Sequence, residues 1–185
     1  MTKYCLTLYG CIAAVSAYAD GVAITTLPTN PVTMVGQESG LCLQPSGGST
    51  NAGAAIVQGT CNSSTAQQFN INFVTRPEFQ SGLVTIANVA SGFCFQIANY
   101  LVEGSQVLQQ ICNTAVEAQQ FRVLQFNNNY WVFQSREMIR LNGRDYNLCI
   151  GIQDGSTTAG ANLVSWPCLD YDGNKQFLLS TPTSF

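Results

Sequence analysis

Cysteine carries the most reactive side chains of this 185-residue chain, and six of the eight cysteines are spaced by rule. Cys42 and Cys61, Cys94 and Cys112, and Cys149 and Cys168 lie 19, 18 and 19 residues apart. Each pair is followed by a tripeptide ending in Phe: Gln67-Gln68-Phe69, Gln119-Gln120-Phe121 and Lys175-Gln176-Phe177. First cysteine to closing Phe is 27, 27 and 28 residues. The loop Gly48-Ser49-Thr50-Asn51-Ala52-Gly53-Ala54 shares six of seven residues with Gly155-Ser156-Thr157-Thr158-Ala159-Gly160-Ala161, at the same offset from its first cysteine. The chain is therefore three internal repeats. Six cysteines can pair in many ways, but the repeat selects Cys42–Cys61, Cys94–Cys112 and Cys149–Cys168. Each bridge closes a loop of about 20 residues, worth about 3 kcal/mol in the chain-entropy model. Metal ligation is disfavoured, because there is no His and no CxxC spacing.

Catalytic chemistry finds little to work with. There is no His and no nucleophile motif. Asp145, Asp154, Asp170 and Asp172 all fall in turn-rich segments. Two such carboxylates at a fixed distance would suffice for a glycosidase, but the chain reads as a non-enzyme with no cofactor. Its five Arg residues are scattered, with only Arg136, Arg140 and Arg144 near one another. No basic footprint for nucleic acid is present. Charged residues are few, at 9%, while Gln, Asn, Ser and Thr are plentiful. That surface suits sugars or protein partners.

The N-terminus reads as a signal peptide, residues 1–19. Lys3 is followed by the apolar run Tyr4 to Val15 and by Ala17-Tyr18-Ala19, a small-x-small cleavage site. The run is shorter than the roughly 18 residues a membrane helix needs, so no transmembrane segment is expected. Leu8-Tyr9-Gly10-Cys11 has the look of a lipoprotein box but follows too short a hydrophobic run. Cleavage after Ala19 gives a secreted chain and removes Cys5 and Cys11, leaving six cysteines in an oxidising compartment. Asn62-Ser63-Ser64 is an N-glycosylation sequon, relevant in a eukaryotic secretory pathway.

The elements that must position these residues are short strands. Residues 20–31 read as an extended arm rather than a strand. Strands are expected at Val32 to Val35, Leu41 to Leu43, Ala55 to Gln58 and Phe69 to Phe73, with Phe69, Ile71 and Phe73 on one face. Copy two repeats the scheme at Leu83 to Ala87, Phe93 to Ile97, Val107 to Ile111 and Phe121 to Phe126. Copy three has Tyr130 to Gln134, an extra turn over Ser135 to Arg144, then Leu148 to Ile152, Asn162 to Ser165 and Phe177 to Leu179. No helical period is sustained. About twelve short strands in three groups of four can close a small barrel around a threefold axis and cap it with hairpins. Phe69, Phe121 and Phe177 would then be core residues. Residues 181–185 form a tail.

Three copies of Cys…Cys…Gln-x-aromatic resemble the ricin B-type lectins, whose fold is an all-β trefoil. The resemblance covers residues 32 to 180 and implies binding of glycans. The family motif is Gln-x-Trp; here Phe stands for Trp throughout, and Lys175 replaces the leading Gln of copy three. Within that family, Pro31-Val32-Thr33-Met34-Val35-Gly36-Gln37-Glu38-Ser39-Gly40 is similar to the segment opening a lectin-like subunit of the cytolethal distending toxins. That implies a host-surface-binding subunit partnered by a nuclease and a second trefoil. A free-standing galactose-type lectin and a trefoil inhibitor are the alternatives.

The resemblance also implies site positions. The stacking aromatic of the family lies two residues before the second cysteine; here that position holds Gly59, Gln110 and Trp166. The family Asp lies two residues after the first cysteine; here it is Gln44, Gln96 and Gly151. Copy three alone keeps a ring and adds Asp154, Asn162 and, at the family's Asn position, Asn174. The expected carbohydrate site is Trp166 with Asp154, Asn162 and Asn174, and Gln44 and Gln96 are further candidates. Trp166 read only as packing beside its disulfide, Asp154 only as a turn residue, and Gln44 and Gln96 only as caps of the barrel backbone are the competing readings. Tyr100 is a candidate second platform, and Trp131 is expected in the core.

Overall fold

A computed structural model of the chain describes residues 22–23, 27–74, 82–100, 102–126, 129–169 and 172–182, side chains at 22, 23, 137 and 141 excepted. The leader expected at residues 1–19, Asp170 and the end of the tail lie outside the described residues.

The described chain is all-β, with no α-helix. Its strands are β1 (Val22–Ala23), β2 (Val32–Gly36), β3 (Cys42–Pro45), β4 (Ile56–Gly59), β5 (Gln68–Phe73), β6 (Leu83–Asn88) and β7 (Cys94–Ile97). Then follow β8 (Val107–Gln110), β9 (Phe121–Gln125), β10 (Tyr130–Leu141), β11 (Arg144–Ile152), β12 (Leu163–Pro167) and β13 (Phe177–Ser180). Antiparallel pairing runs β2–β5–β6–β9–β10–β13 and returns from β13 to β2, which closes a six-stranded barrel. The hairpins β3–β4, β7–β8 and β11–β12 close one end. Single bridges join them in a triangle: Ala55 to Leu108, Val57 to Asn162 and Gln106 to Val164. This is the β-trefoil expected from the repeats. Its three intra-repeat disulfides, Cys42–Cys61, Cys94–Cys112 and Cys149–Cys168, are formed.

The core follows from the strand alternation. Phe69, Phe121 and Phe177 close their copies at the same register and are fully buried. Phe95 packs edge-on against Phe69 at 5.1 Å between centroids, and Phe133 lies 6.5 Å from Phe177. Trp131 belongs to the same cluster. Burying a large apolar side chain contributes about 1.5–3 kcal/mol, so the repeated Phe is a principal stabiliser.

Between the hairpins runs a ring of side-chain hydrogen bonds to backbone carbonyls. Gln109 of copy two donates to the carbonyls of Ser49 and Asn51 in copy one, both at 2.8 Å. Gln58 of copy one donates to Ser156 and Thr158 of copy three, at 2.7 and 2.9 Å. Ser165 of copy three donates to Val102 of copy two at 3.0 Å. The shared Gly-Ser-Thr-x-Ala-Gly-Ala loops are thus the carbonyl cradles for a buried glutamine of a neighbouring copy. Copy two lacks the motif because the group it receives is a short serine.

Four details differ from the sequence expectation. Val22 and Ala23 do form a strand, pairing with Leu124 and Gln125 where the β6 pairing of β9 ends. The arm is further held by Asn30, whose amide exchanges two 2.9 Å bonds with the backbone of Ile71. Ser135 to Arg144 is not a separate turn. β10 and β11 run on as one long hairpin to Asn142-Gly143, whose positive φ values of 50° and 78° make the tight turn that favours a two-residue hairpin loop. Phe73, at the open end of β5, is exposed although it alternates with the buried Phe69 and Ile71, and β8 stops at Gln110, one residue short of Ile111.

Candidate functional site

The second residue after the first cysteine faces the closing tripeptide in every copy. In copies one and two both positions are glutamine. Gln67 donates to Gln44 Oε1 at 2.7 Å and to the Thr60 carbonyl at 2.8 Å, and its own oxygen accepts from the Asn62 amide at 2.8 Å. Gln119 repeats the pattern with Gln96 at 2.9 Å, Ile111 at 3.0 Å and Asn113 at 2.8 Å. Gln44 and Gln96 are therefore engaged within their own copies. A Cβ on Gly59 would lie 3.0–3.2 Å from the Gln44 amide, so Gln44 occupies the room a ring at the platform position would need.

Copy three is built differently. Gly151 stands where Gln44 and Gln96 stand, and Lys175 replaces the tripeptide glutamine. A Cβ on Gly151 would meet the Asn174 carbonyl and Lys175 Cγ, each at 3.0 Å. The lysine stem thus fills the space of the missing side chain. Lys175 is buried, and its Nζ lies 3.8 Å from the exposed carboxylate of Asp172.

Beside this pair an open cleft of about 270 Å³ is lined by Asp154, Trp166, Pro167, Leu169, Asn174 and Lys175. Trp166 is carried by β12, opposite Cys149 and two residues before the bridging Cys168. Its ring runs up to copy two, with Cη2 3.9 Å from where a Cβ on Gly104 would be. Asp154 projects from a single 3-10 turn, Gln153–Gly155, with φ 54°, a left-handed conformation that Asp tolerates. Asn174 sits in a second such turn, Gly173–Lys175, and donates to the Ile152 carbonyl at 3.3 Å. Glu38, from the β2–β3 loop, lies across both turns: a Cβ on Gly173 would be 2.7 Å from its Cγ, and one on Gly155 3.5 Å from its Oε2.

Two polar atoms of the cleft residues stand out. Trp166 Nε1, a donor, and Asn174 Oδ1, an acceptor, are buried and have no partner among the described residues. Such groups are rare in a folded chain.

Trp166, Asp154 and Asn174, three of the expected site residues, thus line one cleft. Asn162 does not line it. It bridges to Val57 in the cap and donates to Gln153 Oε1 at 3.2 Å, one residue from Asp154. Tyr100 packs partly buried against the core. Lys175, Pro167, Leu169 and the supporting Glu38 were not among the expected residues. The departures at Lys175 and Gly151 were visible in the repeat, but their complementarity is a distance.

Comparison with known proteins agrees with this architecture. The family model of the ricin-type β-trefoil lectin domain matches residues 30–177, and the chain belongs to that family. No curated protein matches it. Among solved structures it is similar to the designed threefold-symmetric protein ThreeFoil, at TM-score 0.70 and 21% identity, over 82% of this chain and 98% of that one. The Rhizoctonia solani agglutinin superposes at TM-score 0.68 and 15% identity, over 85% and 98%. The cytolethal distending toxin of Actinobacillus actinomycetemcomitans superposes at TM-score 0.62 and 15% identity, over 84% and 93%. At these identities the likeness is one of fold.

Proposed function

We propose that the chain is a carbohydrate-binding, non-catalytic module whose single sugar site is the copy-three cleft. One observation carries the reading: Trp166 brings a ring, Asn174 an amide side chain and Asp154 an exposed carboxylate to one cleft. A hexose has an apolar face that stacks on a ring, and its hydroxyls both donate and accept. Copies one and two, closed by their glutamine pairs, contribute no site. The test is a glycan array on the oxidised protein beside Trp166→Ala. Binding by the parent that falls at least tenfold in the variant supports the reading. Binding that the variant retains sinks this location.

A second reading makes the chain the cell-surface-binding subunit of a secreted toxin resembling cytolethal distending toxin, assembled with a nuclease and a second trefoil. It is favoured by the anchored N-terminal arm and by the opening segment Pro31 to Gly40. Secretion itself is supported by three disulfides, which persist in oxidising compartments. Co-expression with the neighbouring genes tests this reading: a stable complex with a nuclease subunit is expected, and a monomer that never co-purifies counts against it.

A further inference from the structure

Asn62-Ser63-Ser64 plays no part in the cleft or in the hydrogen-bond ring of the cap. Asn62 follows Cys61 directly and is exposed. Its Oδ1 accepts from the Ser64 amide at 3.0 Å, so the side chain is locked in an Asx turn. That bond uses the oxygen and leaves Nδ2 free of partners among the described residues. Its backbone amide is tied to the fully buried Gln67 at 2.8 Å, which fixes the turn to the barrel. Ser64 is exposed as well, and its hydroxyl caps nothing in the 3-10 turn that follows. The acceptor amide and the hydroxyl two residues on are therefore both available, on a rigid frame beside a disulfide.

Copy two supplies an internal comparison. Asn113 Oδ1 accepts from the Ala115 amide at 2.9 Å, and the Asn113 amide is tied to Gln119 at 2.8 Å. The side-chain hydrogen bond is the same and Asn113 is equally exposed, but Thr114 lacks the positive φ of Ser63 (57°) and alanine stands where Ser64 stands. Copy one alone combines the turn with the hydroxyl.

We propose that Asn62 is a modification site, the acceptor of one N-linked oligosaccharide when the chain passes through a secretory pathway holding an oligosaccharyl transferase. The donor is a lipid-pyrophosphate-linked oligosaccharide. Asn62 Nδ2 forms a bond to the anomeric carbon, the bond from that carbon to the pyrophosphate oxygen breaks, and lipid pyrophosphate leaves with the electron pair. Nδ2 gives up one proton to a base of the transferase. The glycan would stand over copy one, whose platform position Gln44 already fills, on a different copy from the Trp166 cleft.

The test is expression of residues 20–185 behind a eukaryotic secretion signal, with the trefoil itself lying within residues 27–182. Lysate and medium are both read, by gel mobility before and after peptide-N-glycosidase and by intact mass. One glycan per chain is expected, lost in Ser64→Ala and kept in Ser64→Thr. Ala115→Ser should add a second glycan, on Asn113. Non-reducing mobility and free-thiol counting verify the three disulfides in each variant. An oxidised parent chain unmodified in both lysate and medium overturns the proposal. An Ala115→Ser variant that stays at one glycan overturns the argument that this turn presents the acceptor.

Discussion

Lys175 separates copy three from its sisters. Where copies one and two bury a glutamine pair, copy three buries a lysine stem against a glycine, and neither substitution works alone. A side chain at Gly151 would strike the Asn174 carbonyl, a backbone atom, at 3.0 Å. Overpacking of this kind costs about 1–3 kcal/mol, so Gly151→Ala should lower the unfolding free energy by that amount, read as a lower denaturant midpoint at unchanged m-value. Exchanging both partners, Gly151→Gln with Lys175→Gln, installs the bond seen in copies one and two. The Asn174 carbonyl still meets the new side chain, so the double variant should unfold below the parent but above Gly151→Gln alone, and it should lose glycan binding because the new pair fills the cleft. Gln67→Ala leaves the Asn62 amide, the Thr60 carbonyl and Gln44 Oε1 without their partner. Each of these part-buried hydrogen bonds is worth about 0.5–1.5 kcal/mol net, and three are lost together, so this variant should be the more damaged in the same measurement. The sequence exposed Trp166 and Asn174 because the family spacing points at them, and Asp154 because it is an acid three residues beyond the family Asp position held by Gly151. It hid the roles of Gln44 and Gln96, since a glutamine that bonds a sugar and one that bonds a glutamine read alike until the distance is known.

Among the elements, the loops and the long hairpin were read with different success. Strand positions in copies one and two follow the alternation of apolar residues and were legible to within a residue or two. The β10–β11 ribbon was not, because Arg136, Glu137, Arg140 and Arg144 interrupt the alternation, although the Asn142-Gly143 pair is itself a strong hairpin signal. Beyond Arg136, which is tied to Gln120 and Glu117, the two ribbon strands pair only with each other among the described residues, so the ribbon tip should melt locally. Gly143→Val, at φ 78°, is strained there. Amide exchange at residues 138–147 should accelerate while exchange in the barrel strands stays unchanged; a uniform loss of protection would mean that the ribbon belongs to the global unit. The shared Gly-Ser-Thr loops were legible as a repeat but not as cradles, because their partners, Gln58 and Gln109, lie some 50 or more residues away in sequence.

For the molecule as a whole, the repeat spacing carried the fold. Three disulfide loops and three buried Phe residues at one register leave a threefold barrel as the arrangement that buries every apolar face. Each bridge is worth about 3 kcal/mol in the chain-entropy model, comparable together to the whole stability of a domain. Full reduction should therefore unfold the protein at physiological temperature, read as loss of near-ultraviolet dichroism. A trefoil that stays folded when reduced would show that its core suffices. The pairing of β13 with β2 brings Ser180 opposite Thr33, so the two ends of the trefoil meet. Copy one holds copy two, copy two holds copy three, and copy three holds copy one. Such a cycle has no first member. A circular permutant joined across the old ends and opened between Val74 and Leu83 would keep every rung of the barrel and every bond of the cap. Where the chain enters the trefoil is then a matter of the N-terminal arm, not of the barrel it precedes.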